Sequence, residues 1–502
     1  MKLFLSPTKL DPSSVIVSLL AYSLLGLLLI KAWTDLDVMW DGLAYHLPFA
    51  GLRLGIIAAD DYQLTAWYRA FFDSFPVAGD WLQGLFWWIG GRPQAVNIVS
   101  WVSLVLFFVY LRRYWRVSVA LATVAFLAIP LVQVHTSLAY VDLLGCVAVT
   151  VAWLTIVELH AFPDRFTWGR LGLFLLCVFL VAHDKLQYLP IAGLLLLAFA
   201  GTAWYVKSVN PIIPQILNCW WKRGLGLIIV LMIFANPLRN LVTFHNPFYP
   251  VKISIAGLNL PGQFKIERDD PHYLNGQPQV IKWLYSVVER NAYTGRRQPW
   301  NADQGGSPAE APSFRMGGYG GFWVLVNLFF FFHLYRYAPR REARLLAAHL
   351  AVGSVFTAFL PASHELRYYL YWMLMLVASN LILLAKGDGL TRERHIYPLM
   401  ATAALLFVIA VSDASYILPH YRGPQEVIHE LGIHHQVKEL VREPGVTLCV
   451  FDRDPYVFLY SHYFHPDLPP YRVRQSWLGN HQDVEECQFL PTLKPPYPQL
   501  PD

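Results

Sequence analysis

Asp37 and Asp41 stand four residues apart in Asp37-Val38-Met39-Trp40-Asp41, directly after the first long apolar run of the chain. On a helix that spacing puts both carboxylates on one face, where each raises the other's affinity for protons. A carboxyl so tuned suits a general base, and the same spacing also fits plain solvation. The location says more, because a carboxylate where lipid meets water points to chemistry on a lipid-borne substrate. Further ionisable groups recur at the ends of apolar runs: Asp142, Asp184 and Lys185, Arg239, Glu365 and Arg367. Any one of them alone reads as an interfacial anchor whose charge snorkels to water. Ionisable groups at membrane depth are costly, so their recurrence on one side is what carries a functional reading. Within the runs, Asn97, His333 and His349 are the main polar exceptions.

The elements that must position these groups follow from composition. The chain has 502 residues, 55% hydrophobic and only 15% charged, against about 25% charged in soluble domains. That balance describes a polytopic membrane protein. Runs long enough to cross a bilayer, about 17–25 residues each, fall near 15–32, 94–111, 117–134, 139–157, 170–182, 189–206, 223–236, 320–335, 345–361, 368–385 and 396–412. The first is too long for a signal-peptide core and has no small-residue cleavage site, so it is expected to stay as a span. About eleven transmembrane helices put the two termini on opposite sides.

Sidedness comes from Lys and Arg in the loops. Arg112-Arg113-Tyr114-Trp115-Arg116, Lys222-Arg223, Arg336 to Arg344 and Lys386 to Arg394 alternate with an acidic first loop, 33–93. The bias puts the N-terminus in the cytoplasm and the C-terminus outside. The expected fold is therefore an all-α polytopic membrane protein, a bacterial inner or plasma membrane being the expected location. Residues 1–412 form the transmembrane domain, with long outer loops at 33–93 and 237–319. A small α/β extracytoplasmic lobe follows at 413–502, with helical character over Gln425–Val441 and strands at Val446–Phe451 and Tyr471–Gln475. In the first loop Ala44–Ala58 and Trp81–Ile89 read as amphipathic juxtamembrane helices lying in the interface. In the second, Gln279–Asn291 reads as a short helix and Gly305–Gly321 as a flexible crossing loop. The Pro-rich end, Pro491 to Asp502, reads as loosely ordered. There is no sequence repeat.

Several function classes drop out. No basic stripe of the kind nucleic acid requires is present. No cysteine pair has metal-site spacing; Cys449 and Cys487 share the polar tail, where a disulfide is allowed but not demanded. His429 and His434 flank a Glu but are five apart, which turns two zinc ligands off a common helix face. Gly317 to Gly321 follows no strand and opens a span, so it is not a phosphate loop.

The segment Trp40-Asp41-Gly42-Leu43-Ala44-Tyr45-His46-Leu47-Pro48 resembles the first-loop motif of the GT-C superfamily. These are polytopic glycosyltransferases that use polyprenyl-phosphate sugars, among them protein O-mannosyltransferases and aminoarabinose transferases. Phe75-Pro76-Val77-Ala78-Gly79-Asp80 is similar to a later Pro-Gly-x-Glu element, with Asp80 where a Glu is usual. Tyr140-Val141-Asp142 is similar to the second acidic position, and His183-Asp184-Lys185 through Pro190 to the family's Lys-bearing turn. His245-Asn246-Pro247-Phe248-Tyr249-Pro250 and Arg367-Tyr368-Tyr369 match the elements that follow. The likeness covers roughly residues 1–385; the tail carries no matching motif.

The resemblance implies sugar transfer from a polyprenyl-phosphate donor to a lipid, glycan or protein acceptor on the outer face. Such transfer needs a base for the acceptor proton, with Asp41 the candidate, and Asp142 to position the acceptor or help hold a cation. The anionic leaving group needs cationic donors, for which Lys185, Arg367 and Tyr368 are the candidates, Arg being able to bind phosphate oxygens bidentately. Asp37, Tyr45, His46, Asp80 and Arg239 are the substrate-binding candidates. The resemblance fixes no cofactor, and the anionic leaving group leaves a divalent metal as an alternative to the cationic donors. Three other classes compete. A transporter or flippase would show broken helices and internal repeats at the midplane. An O-antigen ligase or polymerase would gather Arg and His in one outer loop, as Arg290, Arg296, Arg297 and Arg315 partly do. A non-catalytic scaffold would keep full function in Asp41→Asn.

Overall fold

The computed structural model describes residues 12–210, 212–255, 257–265, 274, 276–289, 318–387, 390–412, 416–452, 455–477, 487–488 and 490–493. Arg290, Arg296, Arg297, Arg315, nearly all of Gly305–Gly321 and most of the chain beyond Pro491 lie outside the described residues.

Helices dominate because lipid cannot satisfy a backbone N–H or C=O, so an apolar span must close its own hydrogen bonds. Each expected run coincides with a helix: α1 (Pro12–Thr34), α5 (Ile98–Trp115), α6 (Val119–Leu127), α8 (Asp142–Ala161), α9 (Trp168–Asp184), α10 (Leu189–Val206), α12 (Trp220–Ile233), α15 (Gly321–Tyr337), α16 (Arg340–Phe359), α17 (Tyr371–Lys386) and α18 (Thr391–Val411). Among the described residues five helices are long and apolar enough to cross a membrane, and a sixth if α12 and α13 (Ala235–Phe244), bent by 61°, count as one. The run at 117–134 is not continuous. It breaks after α6 and restarts as α7 (Pro130–His135), because Pro130 has no N–H to donate and fits best at a helix start.

α8 is the central post, buried on nearly every face and packed against α5, α9, α10, α16 and α17. Small residues on it, Gly145, Ala148 and Ala152, permit that close approach. α15, α17 and α18 are joined by a buried polar clamp. Asn380 donates to the Asn327 carbonyl and side-chain oxygen, both at 2.9 Å, and the Tyr397 hydroxyl donates to the same side-chain oxygen at 2.7 Å.

The first long loop folds back over the ends of these helices as a π-helical turn (Gly42–His46), α2 (Leu47–Arg53), strand β1 (Tyr62–Gln63), α3 (Ala66–Ser74) and α4 (Ala78–Gly90). α2 does not lie in the interface; it is buried from Leu47 to Gly51 against α4 and the π turn. α4 does present an apolar face, Trp81, Leu85, Trp88 and Ile89, outward. Its inward face carries Asp80, Gln83 and Gly84, so a polar side of a surface helix becomes a wall of the interior.

The second long loop contributes β2 (Val251–Ile255), β3 (Leu258–Leu260), β4 (Phe264–Lys265) and α14 (Gln279–Val287). A short α11 (Ile212–Leu217) precedes α12. The tail forms α19 (Pro424–Glu430) and α20 (Ile433–Leu440), split at Gly432, whose φ of 64° is left-handed. β5 (Thr447–Asp452), β6 (Arg472–Trp477) and β7 (Thr492–Leu493) follow. The sheet order is β1-β6-β5-β7, all pairs parallel, so the first loop supplies an edge strand to the tail. One apolar core accordingly joins Leu43 and Leu47 to Val427, Val450, Phe458 and Val473. Cys449 and Cys487 are disulfide-bonded.

Candidate active site

The exit of α1 is fastened residue by residue. Asp35 takes Lys31 at 2.8 Å and accepts the backbone N–H groups of His420 and Tyr421. The Leu36 N–H donates to the Arg422 carbonyl at 2.8 Å. Asp37 then accepts the N–H of Met39 and that of Ala139, each at 2.9 Å. Asp37 and Asp41 are thus not paired on a helix face, since no helix spans them; Asp37 ties the chain to the segment before α8. Gly42 is required here, because a Cβ at that position would stand 2.5 Å from an Asp37 oxygen. Asp41 follows, its N–H donating to the Tyr140 hydroxyl at 3.1 Å, and the chain enters the π turn. Such turns are uncommon and gather at functional sites.

Two ion pairs form the centre. Arg367, on the turn Leu366–Tyr369 before α17, donates from Nη1 to Asp41 Oδ2 at 2.8 Å and from Nη2 to the Tyr368 hydroxyl at 3.0 Å. Lys185, just past α9, reaches both oxygens of Asp142, at 2.8 and 2.7 Å. Tyr368 links the pairs: its ring lies 5.1 Å from the Lys185 ammonium and 4.9 Å from the Arg367 guanidinium. The guanidinium also stands 5.5 Å from the Tyr140 ring. All four charged groups are largely withdrawn from solvent. Two cations balance two anions, which is what makes their burial tolerable.

The other expected residues divide. Tyr45 sits between His46, Phe49 and Tyr68, and burial followed by the Asp41 charge holds its hydroxyl well above the usual tyrosine range. His46 Nδ1 is 3.8 Å from Asp80 Oδ1, and Arg53 Nε is 3.1 Å from the other Asp80 oxygen. These three line the side formed by α2 and α4. Arg239 is not with them; it is exposed on α13 and bonds the Asp73 carbonyl and Asn240. Among the described residues no group of three or more His, Cys, Asp or Glu side chains could hold a metal ion.

Sequence reasoning passed over His135 and Arg53, and marked Asp184 only as a charge at the end of an apolar run, within the Lys-bearing turn. Asp184 is buried against the backbone of Gly145. It fits only because Gly145 and Gly79 are glycines, a Cβ on either coming within 2.3 or 3.2 Å of its oxygens. The run His135-Thr136-Ser137 at the end of an apolar stretch was the one visible signal for His135.

A cavity of about 570 Å³ opens on the other flank of residues 35–39, lined among others by Asp35, Asp37, Met39, Leu138, His420 and Glu426. Burial pushes the Asp37 carboxyl up to about 7, against the downward pull of its two N–H donors. Between the ordinary 3.8 and about 7 the folded protein therefore holds a proton that the unfolded chain has lost. Stability from this group is fully present below pH 3.8 and is lost as pH rises through 7. The unfolding midpoint should accordingly fall between about pH 4 and 7, and the fall should flatten in Asp37→Asn. Parallel pH curves for the two proteins would contradict that origin.

No protein-family model and no curated protein matches the chain. Among solved structures it is similar to the crystal structure of ArnT from Cupriavidus metallidurans bound to undecaprenyl phosphate. The likeness has a TM-score of 0.52 at 11% identity and covers 95% of this chain and 89% of that one. Identity so low speaks to architecture alone, and the likeness extends over nearly the whole chain. The chain therefore shares its overall fold with that structure.

Proposed function

We propose that the protein transfers a sugar from a polyprenyl-phosphate-linked donor to an acceptor at the extracytoplasmic surface of the membrane. The observation that carries this reading is the convergence of Asp41, Arg367, Asp142 and Lys185 around Tyr368 at the outer ends of α8, α9 and α17. Two cations set within a few ångströms of one ring suit a phosphate monoester, and a carboxylate beside them suits a base.

The pairs also suggest how the chemistry is timed. In the free protein Arg367 occupies Asp41, and a carboxylate so paired is a poor base. A donor phosphate arriving between Lys185 and Arg367 competes for both cations and loosens Asp41. Asp41 then takes the proton of the acceptor hydroxyl as the new C–O bond forms at the anomeric carbon. The bond from that carbon to the phosphate oxygen breaks, and polyprenyl phosphate leaves with the electron pair, its charge held by Lys185 and Arg367. Asp142 keeps Lys185 aimed through two hydrogen bonds.

His46, Asp80 and Tyr45 line the donor side and would meet sugar hydroxyls; Arg239, held by Asp73 and Asn240 on α13, takes no part. Asp37 belongs to the cavity flank, where an acceptor of lipid, glycan or protein type would approach. Eleven spans, with the N-terminus cytoplasmic and the tail outside, agree with the basic loops and with a disulfide in the tail, a bond that persists in oxidising compartments. The test is reconstitution of the full chain in vesicles with undecaprenyl-phosphate monosaccharides. Release of undecaprenyl phosphate dependent on the protein is expected; a protein that neither binds nor consumes any such donor would rule the reading out.

A further inference from the structure

His135 ends α7 with no solvent exposure, and neither Nδ1 nor Nε2 has a hydrogen-bond partner among the described residues. Its ring stands edge-on to Tyr140, centroids 5.5 Å apart, and Tyr140 is the residue that receives the Asp41 N–H and lies under Arg367. The charges acting on it are those of Asp142, Arg367, Lys185 and Asp41, the full set of the two ion pairs. Burial pushes the imidazole down to about 4, so the ring is neutral at physiological pH and offers one N–H and one lone pair.

A buried imidazole with both nitrogens idle is destabilising, and apolar side chains of similar size would fill the same space without that cost. Of the neighbouring histidines, His46 also lacks hydrogen bonds at both nitrogens, but its Nδ1 faces Asp80 Oδ1 at 3.8 Å. His183 reaches the Met232 carbonyl at 2.9 Å, and His465 in the tail reaches the Leu459 carbonyl at 2.9 Å. His135 has an unmet demand one ring away from the Asp41–Arg367 pair, across Tyr140.

Resting on the donor reading above, we propose that His135 binds the head of the donor. Its N–H donates to a phosphoryl oxygen between Lys185 and Arg367, and its other nitrogen accepts a hydroxyl of the attached sugar. A neutral donor adds a directed hydrogen bond to the phosphate without adding a third cation to a balanced site. It would also separate a sugar-bearing phosphate from the bare lipid phosphate, since only the former satisfies both nitrogens.

The test uses the full chain in lipid nanodiscs, with undecaprenyl phosphate and an undecaprenyl-phosphate monosaccharide as probes. The variants are His135→Leu, which removes both polar atoms, and His135→Asn, which keeps a donor and an acceptor. His135→Leu should weaken the bare phosphate about tenfold, roughly 1.4 kcal/mol, and the sugar-bearing probe by more. Without ligand its unfolding midpoint should stay the same or rise, which loss of a merely structural residue would not produce. His135→Asn should recover part of the sugar-bearing affinity. Wild-type affinities in His135→Leu would overturn the proposal, as would a fall of midpoint and affinity together in both variants. Wild-type protein that binds neither probe would instead remove the donor reading itself.

Discussion

Asp41→Asn is expected to lower sugar transfer by about 10²–10⁴-fold, the range a general base contributes. The substitution keeps the size of the side chain and its backbone hydrogen bond to Tyr140, so the loss would report the carboxylate's charge and basicity. It has a second consequence. Arg367 is 3% exposed and would lose its counter-charge, and breaking a buried pair from one side costs about 3–5 kcal/mol. The donor-free variant should therefore melt lower than wild type. Undecaprenyl phosphate should raise the variant's midpoint more than the wild type's, because a phosphate then meets a guanidinium with no internal competitor. Turnover assays and thermal unfolding with and without that lipid read both effects. Full transfer by Asp41→Asn would end the base assignment, and equal stabilisation by the lipid would end the idea that donor and Asp41 compete for Arg367.

Lys185→Met should be worse for folding than for any other property measured first. Asp142 has a fully buried side chain, and both of its oxygens are served by the one ammonium. Removing it strands a carboxylate at the head of α8, at a cost of about 3–5 kcal/mol. The double variant Lys185→Met with Asp142→Leu should recover most of that stability, since a buried pair replaced by apolar groups is often neutral. It should not recover donor binding or transfer. The comparison separates the two roles of Lys185, which a single substitution cannot do. Donor affinity equal to wild type in the folded double variant would exclude Lys185 from the phosphate site.

Arg367 and Asp41 are 326 residues apart in the chain, and Lys185 and Asp142 are 43 apart. Each was visible alone, as a charge at the end of an apolar run, because membranes make such charges conspicuous against their background. The pairing was not visible, because nothing local in either segment encodes its partner. The amphipathic reading of Trp81–Ile89 agrees with the exposure of Trp81, Leu85, Trp88 and Ile89, although Trp87 on the same helix turns inward. That of Ala44–Ala58 misled, because a mixture of Leu, Phe, Ala and Gly suits a buried helix as well as an interfacial one. His135 escaped notice for a related reason: in an apolar run a histidine reads as a satisfied core residue, and whether its nitrogens are bonded depends on neighbours that only the fold supplies.

Hydropathy and the lengths of the apolar runs determined by themselves that this is a multi-pass helical membrane protein and that its ionisable groups sit at the ends of those runs. These are properties of segments, and the cost of exposing peptide groups or charges to lipid is charged segment by segment. The tertiary structure alone decided which carboxylate holds which cation, that Tyr368 lies between the two pairs, that β1 of the first loop completes the tail's sheet, and that His135 is left unserved among them. Those outcomes depend on distances between residues far apart in the chain, set by how α4, α7, α8 and α9 pack, and interaction energies over a few ångströms cannot be read from spacing along a sequence.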